Sequence, residues 1–172
     1  MKKILSTVAA AAVLATSSFA IDGMYGGVGV AIESVDPLDM GVALVLNGGA
    51  PIMKLGDGSL GAEGEFTYSI MAPSWDYNGY GGSHSVDISY MTLSGYAVWQ
   101  YDINQQYFVK PRAGFTYISA DGDGWDAGST FGLSLGVHGG YKINKQLDAY
   151  LGIDLIDVGD MMHFTGGVQY HF

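Results

Sequence analysis

The chain contains no cysteine. That excludes disulfide staples, thiol chemistry and a lipid-modified cysteine behind a leader. Basic residues are scarce as well. Seven Lys and Arg stand against 17 Asp and Glu, a formal net charge of −10 over 172 residues. A surface of that sign repels phosphate backbones, so a nucleic-acid partner is not expected. Beyond the N-terminus no apolar run reaches the roughly 20 residues that a membrane helix needs. A chain can still enter a membrane as a closed barrel of alternating strands.

What is present starts with a leader. Met1-Lys2-Lys3 is a basic head, Ile4 to Ala15 is mostly Ala, Val and Leu, and Thr16 to Ala20 is small and ends Ser18-Phe19-Ala20. This pattern predicts a secretory signal peptide over residues 1–20, cleaved after Ala20, and one domain over 21–172 exported to the periplasm. Without Lys2 and Lys3, five basic residues face 17 acidic ones, a net charge of −12. The 27 glycines are scattered and follow no G-X-Y period. Glycines inside alternating segments suit a narrow, tightly curved barrel.

Successive side chains of a strand point to opposite faces. The last eleven residues follow this rule closely. Met162, Phe164, Gly166, Val168, Tyr170 and Phe172 share one face, and His163, Thr165, Gly167, Gln169 and His171 share the other. The same alternation predicts seven earlier strands, over residues 24–34, 38–47, 60–70, 85–101, 107–119, 129–142 and 147–155. Asn47 to Pro51 and Gly56 to Gly58 read as breaks, with 52–55 left unplaced, which makes the first inner connection long. Residues 72–83 read as a loop. Strand parity is ambiguous near Tyr90 to Leu93, where a bulge is possible, and Pro111 within a strand implies a bulge or a lost ladder bond. The turns at 102–106 and 143–146 are short and polar, whereas the connections around 72–83 and 121–126 are longer, acidic and aromatic. Trp99, Tyr101, Tyr107, Tyr141, Tyr170 and Phe172 fall at one level, as an aromatic belt at a membrane boundary does. The fold expected is all-β, an eight-stranded antiparallel up-and-down transmembrane β-barrel.

With these features, and with Val168-Gln169-Tyr170-His171-Phe172 at its end, the chain resembles the small bacterial outer-membrane β-barrels of the outer membrane protein A/X and opacity-porin type. The resemblance covers the whole mature length. It implies a Gram-negative outer-membrane location, contact with outer-membrane lipid and lipopolysaccharide, and recognition of Val168, Tyr170 and Phe172 by the barrel assembly machinery. It names no substrate. The first outer loop, at Asp36-Pro37, is short for that family.

Candidate chemistry is sparse. His163-Phe164-Thr165 invites comparison with the His-x-Ser of lipid A deacylases, but both polar side chains face inward by parity, away from lipid. Asp121, Asp123 and Asp126 fail the calcium-loop spacing after the second Asp, which leaves a solvated acidic loop as the stronger reading. No catalytic residue, cofactor or metal site is expected. Trp75, Tyr77, Tyr80 and Trp125 crowd the outer loops, either as contact residues for a surface ligand or as interface anchors. Glu63, Glu65, Lys110, Arg112, Lys142, Asp148 and Asp154 point inward and form a candidate charge network in the lumen. Structural pairing is the stronger reading there, and a gated ion path the sharper one. The function expected is a structural or surface-interaction role through acidic, aromatic outer loops. A small porin-like pore is the alternative, and a lipid-modifying enzyme comes third.

Overall fold

Alternation of side chains along the chain is what turns it into barrel staves, and the computed structural model follows that alternation almost everywhere. It describes residues 23–35, 40–79, 82–122, 125–156 and 161–172; for Val35, 74–79, 82–87, Gly122 and 125–127 the backbone alone is described. The expected signal peptide, the Asp36-Pro37 turn, Tyr80, Asp123 and the 157–160 loop lie outside those residues.

Nine strands are described: β1 Tyr25–Val35, β2 Gly41–Leu55, β3 Gly58–Met71, β4 Ser74–Gly79, β5 Gly82–Asp102, β6 Tyr107–Gly122, β7 Trp125–Lys142, β8 Leu147–Ile156 and β9 Met161–His171. All pairings are antiparallel. β9 pairs with β1, and β3 pairs with β5, so eight strands close into a barrel. β4 stands apart, paired with β5 alone among the described residues.

The apolar side chains point outward. Val28, Val30 and Ile32 on β1, Leu133 and Leu135 on β7 and Leu151 on β8 are all exposed, while their sequence neighbours are glycine, small or polar and face the lumen. Such an inverted pattern is stable only where the surroundings are lipid. Around one rim run the aromatic pairs Trp99–Tyr101, Tyr107–Tyr141 and Tyr170–Phe172, with ring centroids 5.7, 5.3 and 5.4 Å apart.

That rim also carries the tight turns. Two share the pattern Ile-Asn-x-Gln. Asn104 Oδ1 accepts from the backbone N–H of Gln106 and Tyr107, both at 2.8 Å, and Asn144 Oδ1 accepts from Gln146 and Leu147 at 2.8 and 2.9 Å. Each asparagine thus satisfies two backbone donors that the chain reversal leaves free.

The structure corrects several expectations. β2 does not break at Asn47–Pro51. It runs on to Leu55 and turns tightly at Gly56-Asp57, with Gly56 at φ 61°, so the first inner connection is short. Pro51 is tolerated because a register shift lies between it and Met53; at such a bulge a missing N–H costs no regular rung. Residues 74–79 form a strand where a loop was expected. No bulge occurs near Tyr90 to Leu93: Thr92, Ser94, Tyr96 and Val98 alternate inward without interruption. Pro111 sits in no bulge either. The β5–β6 ladder omits the rungs at Trp99 and Gln100 and resumes in the same register at Tyr101↔Val109.

Strand length is asymmetric. β5, β6 and β7 have 21, 16 and 18 residues, against 11, 10 and 11 for β1, β8 and β9. A tilted membrane strand needs about 9–11 residues. The surplus of β5–β7 rises past the membrane at the end opposite the tight turns.

Candidate functional site

A narrow eight-stranded barrel leaves room inside for side chains alone, and here most of that room is polar. The centre is Arg112 on β6, which makes hydrogen bonds in three directions. Its Nη1 donates to Glu63 Oε1 at 2.7 Å and to Glu65 Oε2 at 2.8 Å, and its Nη2 donates to Glu65 Oε1 at 3.1 Å. On the far side Nε donates to Asp154 Oδ1 at 2.6 Å. Beneath the guanidinium lies the Tyr96 ring, 4.1 Å from its carbon. The planar fork of Arg suits a paired carboxylate in a way that Lys does not.

Two extensions leave this hub. Lys110, two residues along β6 on the same face, reaches Glu63 Oε2 at 2.5 Å, and the Tyr25 hydroxyl donates to the same oxygen at 2.5 Å. On the other side Asp154 Oδ2 meets His138 Nε2 at 3.0 Å. The His138 ring stacks on Tyr150 with centroids 5.3 Å apart. Tyr150 OH accepts from Asn47, whose own Oδ1 accepts from Gln169.

The connected set takes at least one residue from every barrel strand: Tyr25, Asn47, Glu65, Tyr96, Arg112, His138, Tyr150 and Gln169 stand on β1, β2, β3, β5, β6, β7, β8 and β9. All are buried. The lumen is therefore crossed at this level by a plug rooted in the whole wall, held by hydrogen bonds and by two ring contacts, Arg112 on Tyr96 and His138 on Tyr150. Two glycines make room for it. A Cβ on Gly136 would strike the Asp154 carboxylate, and one on Gly152 would strike the His138 ring.

The expected charge set divides. Glu63, Glu65, Lys110, Arg112 and Asp154 are brought together in the plug. Lys142 and Asp148 are not. Lys142 Nζ pairs with Asp102 at 2.6 Å on the rim, and Asp148 Oδ2 meets His171 Nε2 at 2.8 Å. Both line an open vestibule of about 370 Å³ at the tight-turn end, together with Gln100, Lys145 and His171. The neutral members of the plug were not picked out from sequence. A partial signal was available: Tyr25, Tyr96 and Tyr150 are phenols on lumen faces whose other residues are mostly small, polar or charged, with Val98 and Ile156 the larger exceptions.

Farther toward the outer end, Ser94, Thr116 and Ser134 form a hydroxyl chain with 2.7 Å links. His163 and Thr165 face inward and are buried, out of contact with the lipid face. Of the outer aromatic candidates, Trp75 and Tyr77 lie on β4 and Trp125 opens β7. Asp121 pairs across the β6–β7 hairpin with Asp126. At the C-terminus, Val168 and Tyr170 face lipid, and the Phe172 N–H donates to the Met24 carbonyl at 2.9 Å, so the last residue takes part in closing the barrel.

The family model described as the outer membrane protein beta-barrel domain matches residues 4–172. No curated protein matches the chain by sequence. Among solved structures, the outer membrane protein OprG from Pseudomonas aeruginosa superposes with a TM-score of 0.63 at 13% identity, covering 88% of this chain and 96% of that one. Ail, the attachment invasion locus protein of Yersinia pestis, gives 0.59 at 15% identity over 88% of this chain and 100% of its own. Neisserial surface protein A gives 0.56 at 19% identity over 88% and 98%. At these identities the likeness is one of fold.

Proposed function

We propose, for a chain that belongs to the outer membrane protein beta-barrel domain family, a role in surface contact: the barrel is an anchor, and its tall outer end meets a ligand outside the cell. The observation that carries this reading is the height of β4–β7. β4 and the first residues of β5 form a two-stranded arm, from Ser74↔Asp87 to Gly79↔Gly82, and the β5–β6 ladder starts only at Ile88. Both edges of the arm are therefore free of barrel strands among the described residues. An exposed strand edge presents unpaired N–H and C=O groups that another chain can use. Between Lys54 and Lys110 the sequence has no Lys or Arg, so the arm is acidic. Trp75, Tyr77, Tyr80 and Trp125 are the side chains proposed for contact. One structural neighbour is named for attachment and invasion and another as a surface protein; these names agree with the reading but do not carry it.

The chain reaches this position by export to the periplasm behind the leader, followed by insertion in which the barrel assembly machinery reads Val168, Tyr170 and Phe172. Lipid and lipopolysaccharide then surround the apolar face. The role is non-enzymatic, since the one His–hydroxyl pair near a lipid-enzyme pattern is buried in the lumen.

The competing reading is a small pore. The plug around Arg112 argues against it, and conductance across a planar bilayer separates the two. The surface reading expects little or no steady current. It also expects cells displaying the full chain to lose ligand binding when residues 74–87 are replaced by a short turn, with the barrel still folded. Steady conductance, with ligand binding unaffected by that replacement, would put the pore first.

A further inference from the structure

Among the described residues five carboxylates are buried: Glu33, Glu63, Glu65, Asp148 and Asp154. Only two permanent cations, Lys110 and Arg112, are buried with them. Three histidines stand beside the remaining charge. His138 is 3.0 Å from Asp154, His171 is 2.8 Å from Asp148, and His163 is 3.6 Å from Glu33. Buried charge without a partner is costly, and such groups are normally paired or neutralised by a proton.

Glu33 and Asp148 are the two buried carboxylates outside the plug, and Asp148 has His171 within hydrogen-bond distance; Glu33 has no such cationic partner. It lies on β1 with no exposed surface. Its Oε2 accepts from the Ser69 hydroxyl at 2.6 Å, while Oε1 has no hydrogen-bond partner. His163 is its register partner on β9, equally buried, and neither ring nitrogen has a hydrogen-bond partner. At 3.6 Å the two unmet groups stand just beyond hydrogen-bond distance of each other. Two residues farther out along β9 on the same face, Met161 packs with Ile118 and Ile156, and Tyr90 lies against them. This apolar cluster stands on the outer-end side of the couple.

We propose that Glu33 and His163 are a proton-binding site, holding one proton between them in the outer half of the lumen at neutral pH. The proton comes from solvent and breaks no other bond. Whether it sits on the carboxyl or on the imidazole, one O–H or N–H donates to the other group, and Glu33 Oε1 and His163 Nε2 both gain a partner. Other groups face the couple without supplying a donor to Glu33 Oε1. From β8, Asp154 is in register with His163, and its charge is met by Arg112 on β6 and His138 on β7. From β3, Ser69 already serves Oε2 and also accepts the Tyr90 backbone N–H of β5. Through Asp154 the site stands next to the Arg112 plug, so proton occupancy near the outer face acts on the element that closes the lumen.

The test is the pH dependence of stability for the refolded full barrel. Above about pH 7.5 an ordinary Glu and His in the unfolded chain are both nearly proton-free. If the folded pair keeps one proton, the folded state binds more protons than the unfolded state, and stability falls as pH rises. Linkage then gives a tenfold increase in the unfolding constant for each pH unit from about 7.5 upward. Glu33→Gln supplies an amide N–H in place of the proton. It should fold and flatten the profile by a factor of ten per unit relative to wild type. A ring-nitrogen NMR spectrum of the wild-type barrel needs no variant: the His163 signals should stay unchanged between about pH 5.5 and 8. The proposal fails if Glu33→Gln keeps the wild-type slope, or if His163 titrates like an exposed imidazole near pH 6.5. It also fails if exchanging choline for sodium at fixed pH 8.5 lowers the unfolding constant in wild type but not in Glu33→Gln, since the site would then hold an alkali ion.

Discussion

Replacing Arg112 by Ala removes the hub of the plug, and the structure says where the damage falls. Three carboxylates lose a donor, but unequally. Glu63 keeps Lys110 and the Tyr25 hydroxyl, and Asp154 keeps His138. Both oxygens of Glu65 are served by Arg112, and Glu65 is buried at 2% exposure. It becomes a buried charge without a cation. Removing one partner of such a pair costs about 3–5 kcal/mol; the lost packing of the guanidinium on the Tyr96 ring adds about 1–2 kcal/mol for a desolvated contact. Urea unfolding of the refolded barrel in lipid, followed by tryptophan fluorescence, should therefore show a large drop in midpoint. Adding Glu65→Gln should return about 0.5–3 kcal/mol, the range of coupling expected for groups in direct contact. Adding Glu63→Gln should return less, because Glu63 is still paired. Strict additivity of Arg112→Ala and Glu65→Gln would refute the shared network. A larger recovery from Glu63→Gln would refute the assignment of Glu65 as the orphan. If Arg112→Ala also opened a steady conductance, the plug would be a gate, and the pore reading would gain on the surface reading.

Three further outcomes are expected. Leu151 is central in β8, 74% exposed, and flanked in register by Gly139 and Gly166, so Leu151→Arg at the bilayer midplane should cost about 2–4 kcal/mol in the same titration. Neutrality would mean that β8 is not lipid-facing there. Gly152→Ala, one residue along on the opposite face, should displace the His138 ring from Tyr150 and weaken the plug, seen as a change in the His138 ring resonance and a lower urea midpoint. Deleting Phe172 should cut the outer-membrane yield in cells far more than it lowers the urea midpoint of barrel refolded in vitro; normal yield would remove the last residue from the insertion signal.

How much of this was legible in the sequence depends on which physical rule was in force. Strand faces were legible because a period of two is strict in a barrel wall. Even the ambiguous stretch around Tyr90 to Leu93 resolves into plain alternation, since Thr92 and Ser94 take the lumen and Met91 and Leu93 take the lipid side. Gly and Pro misled where they were read as punctuation. Asn47-Gly48-Gly49-Ala50-Pro51 resembles a turn cluster, yet every residue of it has a partner across the β2–β3 ladder. The glycines there serve close packing: a Cβ on Gly49 would collide with the Tyr25 phenol. The same misreading made a loop of 74–79, whose Asn78 and Gly79 sit in a paired hairpin.

The charge network was legible as a set of inward charges but not as two sites, because parity gives the face and not the reach across the lumen. Lys142 and Asp148 share the parity of Arg112. They are placed at the rim, where Lys142 meets Asp102 and Asp148 meets His171. The neutral members gave a weaker signal for a different reason. A lumen charge announces itself because it has to be answered, whereas Tyr25, Asn47, Tyr150 and Gln169 carry no such requirement until the charges around them are in place. Tyr25 matters because Glu63 needs a further donor. Asn47 and Gln169 matter because they extend the chain of partners from Tyr150 to the β9 wall. Closure itself follows from that order of need. With Arg112 at the centre of a narrow lumen, Glu65 gives both oxygens to the guanidinium, whereas Glu63 and Asp154 each keep an oxygen for a second partner. Those partners come from β6 itself and from other walls: Lys110 and Tyr25 for Glu63, His138 for Asp154.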